Sequence, residues 1–479
     1  MVFPTIEFAV FFAVVLTVSW LLMPHPPAWK IFMLAVSLFF YGFVDAYWVL
    51  LLVFSIVANQ AAAMAITRLT SPRARKLVLV AAVVVDLGLL GWFKYFDFFA
   101  QSFNSALSRV GLGAPLPLLQ LMLPIGISFF TFQAISYVAD VHSRVTKVAS
   151  PIDFAVFLTF FPHVVAGPIV RAREFIPQLA TPRSPRNLPA VPALFLILGG
   201  LFKKLVLADF LATSVVDPVF GSPAAFSSPD TVAAVLGYAA QIYCDFSGYT
   251  DIAIGLAMLL GFRFPQNFAS PYSAASLQEF WRRWHMTLSR WLRDYLYIPL
   301  GGSRRGRVRT AINVLLTFLL GGLWHGAAWT FVIWGAIHGI GLVIERVWGD
   351  WRGRRAAPEG RSRVRVLLPK AGGWLLTFVV VCLAWVFFRS PDLPVARGVL
   401  SGLVGRWGEG SSLVTPLVVG AIVLGIGTQF LPGRIWRTLE RWFSRLPAVL
   451  QGIMVGVLIV LMVVLVGDQG VAPFIYFQF

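Results

Sequence analysis

The sequence predicts an all-α protein that crosses a membrane many times. Three observations carry this. Of its 479 residues, 58% are hydrophobic and 13% charged, far less charge than a soluble surface of this size holds. Several apolar stretches reach the roughly 20 residues needed to cross a bilayer as a helix. The 39 Lys and Arg outnumber the 21 Asp and Glu, and the excess gathers in loops between apolar stretches, as the positive-inside rule expects. That placement favours a membrane protein over a nucleic-acid binder.

The apolar runs fall at 5–23, 31–44, 46–66, 77–98, 121–139, 152–170, 190–216, 231–260, 311–322, 328–346, 372–388, 412–430 and 451–467. At membrane depth every backbone polar group needs an internal partner, so these runs should be helical. The first has no basic segment before it and no small-residue cleavage site, and reads as a span rather than a signal peptide. Cys244 and Cys382 both lie in apolar runs and suggest neither a disulfide framework nor a metal site.

Basic loops set the expected topology. They contain Arg68, Arg73, Arg75 and Lys76, then Arg144 and Lys147, then the stretches 171–186, 262–309, 347–370 and 434–445. All are assigned to the cytoplasm. Residues 217–230 carry Asp217 and Asp230 and no Lys or Arg, which fits the outside. The N-terminus and the tail 468–479 then also lie outside. Two runs have cytoplasmic flanks at both ends. Run 152–170 is too short to cross twice and should be re-entrant or in-plane. Run 311–346 should be a helical hairpin broken at Gly321-Gly322-Leu323-Trp324-His325-Gly326, with His325 at its apex.

Six histidines are present: His25, His142, His163, His285, His325 and His338. His25 and His142 lie in polar loops. An ionisable group inside the membrane marks a functional site, and imidazole suits acid–base work near neutral pH. This singles out His325 and, less sharply, His338, which could equally bond a neighbouring helix. At about 100° per residue, the stretch 280–295 places Trp281, Trp284, His285, Leu288, Trp291, Leu292 and Tyr295 on one face. Arg282, Arg283, Arg290 and Arg293 share another. This predicts an interfacial amphipathic helix on the cytoplasmic surface. Its arginines either anchor anionic headgroups or meet a phosphorylated acyl donor; His285, on the apolar face, reads as packing. Lys203 and Lys204 follow an apolar run and either snorkel or hold donor phosphates. Asp245, Tyr249 and Asp251 are polar groups in an apolar helix, either interhelical glue or a cavity wall orienting a catalytic group. Phe161-Pro162-His163 to Arg171 suits the broken 152–170 segment. No P-loop, GxGxxG, GxSxG or zinc-type spacing occurs.

Several blocks together carry a resemblance. They are Leu-Pro-Ile-Gly-Ile-Ser-Phe-Phe-Thr-Phe-Gln (123–133), Phe-Pro-His to Ala-Gly-Pro-Ile-Val-Arg (161–171), Phe-Lys-Lys (202–204) and Tyr-Cys-Asp-Phe-Ser-Gly-Tyr-Thr-Asp (243–251). To these belong residues 279–302, Gly-Gly-Leu-Trp-His-Gly-Ala-Ala-Trp (321–329) and the terminal Phe-Ile-Tyr-Phe-Gln-Phe (474–479). The chain resembles the bacterial membrane-bound O-acyltransferase (MBOAT) family, in its alginate O-acetyltransferase (AlgI) branch.

The resemblance implies a single domain over 1–479, with N-terminal helices 1–120, a catalytic core 121–346 and C-terminal helices 347–479. It implies about 11 transmembrane helices, with re-entrant and in-plane amphipathic helices around a central funnel, in a bacterial plasma membrane. It lands the catalytic histidine on His325 and a second on His338. Asp245, Tyr249 and Asp251 become orienting or relay groups. Lys203, Lys204, Arg282, Arg283, Trp284, His285, Arg290 and Arg293 become donor-binding residues. No metal or bound cofactor is expected. The donor is a cytoplasmic thioester, acetyl-CoA in the first instance, and the acceptor an extracytoplasmic polysaccharide such as alginate or a wall polymer. A secreted SGNH-type acetyltransferase is the expected partner. The Arg- and Gly-rich 350–365 and the variable 390–411 leave the acceptor open. Two alternatives are D-alanyl transfer to teichoic acid and a transporter of an acyl carrier without chemistry of its own.

Overall fold

A computed structural model describes residues 3–43, 45–165, 167–181, 183–353, 363–466 and 475. Every element of two turns or more among them is helical, as the backbone argument requires. The chain forms two compact units. The tail 468–479 and its 474–479 block, Ile475 apart, and the centre of the 350–365 stretch lie outside the described residues.

The first unit comprises Met1–Leu194 and Ile252–Pro265. Its helices start where short polar caps and prolines stand. Thr5 accepts from the Phe8 N–H and Ser71 from the Ala74 N–H, opening Ile6–Leu22 and Pro72–Leu90. Pro26, Pro72 and Pro151 sit in first turns, where a missing N–H costs nothing. The 152–170 run becomes two short helices, Pro151–Thr159 and Phe161–Val164, separated at Phe160. At about 1.5 Å per residue neither can cross a bilayer about 30 Å thick. Both are buried in an aromatic core in which Phe157, Phe160, Phe175 and Phe264 surround His163. His163 Nδ1 lies 2.9 Å from Gln133 Nε2.

The second unit comprises Phe195–Asp251 and Gln266–Phe479. Its long helices include Gly306–His325, Trp329–Gly353 and Arg363–Arg389. The first two pack as the expected hairpin.

Among the described residues six helices are long and apolar enough to cross, or seven if the bent pair Pro416–Phe430 and Gly433–Ser444 counts as one span, and shorter apolar helices such as Ile6–Leu22 and Leu393–Gly405 accompany them. The chain is thus the all-helical, multi-pass membrane protein expected. Two expectations need correction. First, the hairpin is not broken at Gly321-Gly322. The helix runs through both glycines and ends at His325, and the bend is 326–328. The glycines serve packing instead. A Cβ on Gly322 would collide with the Phe331 carbonyl oxygen, and one on Gly335 with that of Phe318. The arms therefore meet backbone to backbone.

Second, 280–295 is not one amphipathic helix on a surface. Leu277–Arg283 ends at Trp284, His285 takes a left-handed φ of 41°, and a new helix runs Met286–Leu292. A single wheel cannot apply across that break. The aromatic residues explain the outcome, since Phe280, Trp284, Leu288 and Trp291 are all buried. The segment starts with the Leu277 and Gln278 N–H groups donating to the Glu345 carboxylate, at 2.5 and 3.1 Å. Trp281 then touches His338, and His285 approaches His325. Glu345 to His338 is about 10 Å along the helix. The segment thus climbs along the hairpin towards its bend.

Candidate active site

His325 ends the first hairpin arm with its side chain 4% exposed. Its ring lies edge-on to Trp324 and Trp334, each at 5.0 Å, and to Phe388 at 5.2 Å. The next residue, Arg389, forms a 2.6 Å ion pair with Asp217. The bend therefore sits at the end of this unit that carries the 217–230 loop. His285 is the other polar ring beside it, 6.4 Å between centroids.

The neighbouring hydrogen bonds define which nitrogen of each flanking histidine carries the proton. Asn267 Oδ1 accepts from the Thr287 N–H at 3.1 Å and the Thr287 hydroxyl at 2.9 Å. A backbone N–H only donates, so the amide is oriented with its oxygen inward. His285 Nδ1, 3.2 Å from the same oxygen, must then carry a proton. His285 Nε2 is left as a buried lone pair with no partner among the described residues. His338 is the mirror case. The Trp281 indole N–H only donates, and it points at His338 Nδ1 at 3.3 Å. His338 Nε2 therefore carries the proton, also buried and without a partner among the described residues. Trp334 stands 5.0 Å from both His325 and His338, and its own indole N–H is buried and has no partner among the described residues. The bend thus holds an acceptor on one side and donors on the other.

The remaining sequence-derived residues form other groups. Lys204 Nζ bridges Asp209 and Asp245, each at 2.7 Å, with the Lys204 and Asp245 side chains 2% and 3% exposed. Asp245 also accepts the Ile475 N–H. Lys203 Nζ meets Asp251 at 2.5 Å and the Ser247 hydroxyl at 2.9 Å. Tyr249 is buried with its ring near Lys204. A Cβ on Gly248 would reach 2.8 Å from the Gly200 carbonyl oxygen, so the two helices touch at that point. These lysines do not snorkel; each is met by carboxylate. Removing one partner of the buried Lys204–Asp245 pair costs roughly 3–5 kcal/mol.

Trp284 is buried, stacked on Phe280 and against Trp385. Arg283 pairs with Glu279 and bonds the Ser273 hydroxyl. Arg293 pairs with Asp294. Arg282 is exposed, and Arg290 bonds the Met286 carbonyl. The arginines therefore do not form one row. Sequence reasoning missed Asn267, which no pattern marks. It also missed Trp334, although Trp334 is one helical turn from His338.

The membrane-bound O-acyltransferase family profile matches residues 36–388. The chain is 40% identical over 407 residues to the peptidoglycan O-acetyltransferase of Helicobacter pylori, covering 78% of this chain and 74% of that one. It is 44% identical over 362 residues to a Pseudomonas aeruginosa protein named "Probable alginate O-acetylase AlgI", covering 74% and 66%. Identity to the teichoic acid D-alanyltransferase of Streptococcus thermophilus is 30% over 286 residues, covering 56% and 68%. The chain belongs to the membrane-bound O-acyltransferase family. It is a multi-pass membrane acyltransferase of the bacterial O-acetyltransferase group.

Proposed function

We propose that this protein moves an acetyl group from cytoplasmic acetyl-CoA to a hydroxyl of an extracytoplasmic glycan, of the alginate or peptidoglycan kind, with His325 as the reacting base. The observation that carries this reading is the buried His325 at the hairpin bend, flanked by one imidazole acceptor and two N–H donors. The acetyl-transferring relatives at 40% and 44% identity favour acetate over D-alanine.

In the proposed step, an acceptor hydroxyl attacks the thioester carbonyl carbon. His325 takes the hydroxyl proton as the new C–O bond forms. The C–S bond breaks, and the proton passes to the departing thiolate. No electrons are exchanged and no metal is required. An N–H donor near the bend, from Trp334 or His338, would stabilise the developing oxyanion. The lone pair of His285 Nε2 would orient His325 or receive its proton. Arg282 and Arg290, which no carboxylate pairs with among the described residues, suit the donor's phosphates better than Lys203, Lys204, Arg283 or Arg293. Asp245, Tyr249 and Asp251 hold that lysine pair in place rather than relay protons. The whole chain, 1–479, acts as one functional domain, with the reacting groups in 121–346. A secreted SGNH-type acetyltransferase would take the acetyl group onward where the acceptor polymer cannot reach the bend.

The test is donor choice. Purified protein in vesicles is offered radiolabelled acetyl-CoA or labelled D-alanyl carrier protein, with alginate or peptidoglycan glycan strands as acceptor. Label should enter glycan from acetyl-CoA. Transfer from the D-alanyl carrier alone would overturn the proposal.

A further inference from the structure

The basic stretch 434–445 is a helix, Gly433–Ser444, whose two faces are sharply divided. Taking about 100° per residue, Arg434, Arg437, Arg441 and the adjoining Arg445 fall within an arc of about 80°. Ile435, Trp436, Leu439, Trp442 and Phe443 fall within about 120° on the other side. Only Phe443 is turned into the protein, edge-on to Phe195 at 5.4 Å. Ile435, Trp436, Leu439 and Trp442 are exposed, the two indoles at 50% and 54%. The four arginines are exposed as well, and among the described residues no carboxylate pairs with them.

The flanking chain fixes where this helix lies. It turns 96° from Pro416–Phe430, which is apolar, and leads into the apolar Ala448–Val466. Gln451 Nε2 closes the second corner on the carbonyls of Phe443 and Leu446, at 3.1 and 2.9 Å. A helix held between two membrane-embedded segments and turned across them stays at the membrane boundary. Its exposed apolar face then meets acyl chains, its tryptophans the interface, and its arginines the headgroups.

We propose that Gly433–Ser444 lies in the plane of the cytoplasmic membrane boundary and binds anionic phospholipid headgroups through Arg434, Arg437, Arg441 and Arg445. Arg441 bonds the Arg437 carbonyl and the Thr438 hydroxyl, but with no carboxylate paired to any of the four among the described residues, their positive charges select anionic over zwitterionic lipid. Phe443 joins the site to Phe195, on the helix that leads to Lys203 and Lys204. Lipid bound here therefore braces that helix.

The test uses the full-length protein and a variant with all four arginines changed to glutamine. Both are taken from vesicles of phosphatidylcholine mixed with phosphatidylglycerol, and retained lipid is counted by native mass spectrometry. Wild-type protein should keep phosphatidylglycerol, and the glutamine variant should lose it while melting as wild type in pure phosphatidylcholine. Arginine-to-lysine replacement at the four positions should restore retention. Equal retention by the glutamine variant would overturn the proposal. So would displacement of the lipid by free coenzyme A together with a raised KM for acetyl-CoA in pure phosphatidylcholine, which would assign the arginines to donor phosphates.

Discussion

Gly335→Ala adds one methyl group where the hairpin arms touch, and the structure sets its effect. The new Cβ would stand 3.0 Å from the Phe318 carbonyl carbon, 3.3 Å from Leu319 Cα, and closer still to the Phe318 oxygen. Ordinary carbon contacts lie near 3.5–4.0 Å. Backbone atoms of a helix cannot turn aside, so the arms must part by about 1 Å to restore normal contact. Overpacking of this kind costs about 1–3 kcal/mol. His325 stands at the end of one arm and Trp334, next to the altered residue, on the other. A displacement of about 1 Å between reacting groups slows a reaction roughly 100-fold. The assay is transfer of labelled acetate by protein in vesicles, with Gly420→Ala as control because a Cβ there meets nothing within 4 Å. Gly335→Ala should lower kcat about 100-fold with the KM for acetyl-CoA unchanged, and Gly420→Ala should match wild type. A wild-type kcat for Gly335→Ala would refute the argument that arm contact sets the geometry of the bend.

Other outcomes follow from the same structure. Asn267→Leu removes the acceptor shared by His285 and Thr287; kcat should fall about 10-fold or more, in line with 1–3 kcal/mol for stranded buried donors, with KM held, and Asn267→Asp should recover much of it. An equal loss in both variants would show a packing defect only. Burial pushes the Asp230 carboxyl up, but hydrogen bonds from Ser411, Leu413, Ser412 and Ser227 outweigh it and bring the pKa down to about 2. Its stabilisation is then complete above the ordinary value of 3.8 and is lost as pH falls through about 2. Thermal melts should show Asp230→Asn less stable than wild type at neutral pH, with the gap closing by pH 2; a gap independent of pH would contradict this. Ser222→Cys should react with an impermeant maleimide from outside the cell only, and labelling from the cytoplasm alone would reverse the topology.

The parts of the fold that hydropathy and charge describe were legible. The 311–346 hairpin followed from its basic flanks, and the short 152–170 run from its length. The division of 280–295 was not legible, because a helical wheel assumes an unbroken helix. Where His285 leaves helical geometry, Asn267, which no sequence pattern marks, takes up the freed backbone: its carbonyl accepts the Met286 N–H and its side-chain oxygen the Thr287 N–H. The glycines at 321 and 322 were visible, yet their meaning depends on the facing arm, which no local pattern supplies. Lys203 and Lys204 looked free because their carboxylates stand on another helix and at Asp209. His325 was legible twice over, by its place between basic loops and by its motif. The flanking His285 and His338 became meaningful only through the proton positions that Asn267 and Trp281 impose.

The most direct measurement is acetyl transfer by His325→Ala and His325→Gln in sealed vesicles, with labelled acetyl-CoA on the cytoplasmic face and glycan on the other. Correct folding is checked by an unchanged melting profile. Both variants should deliver no label to the glycan, while wild type delivers it steadily. Transfer at the wild-type rate by either folded variant would contradict the central claim that the acetyl group passes through the hairpin bend under the action of His325.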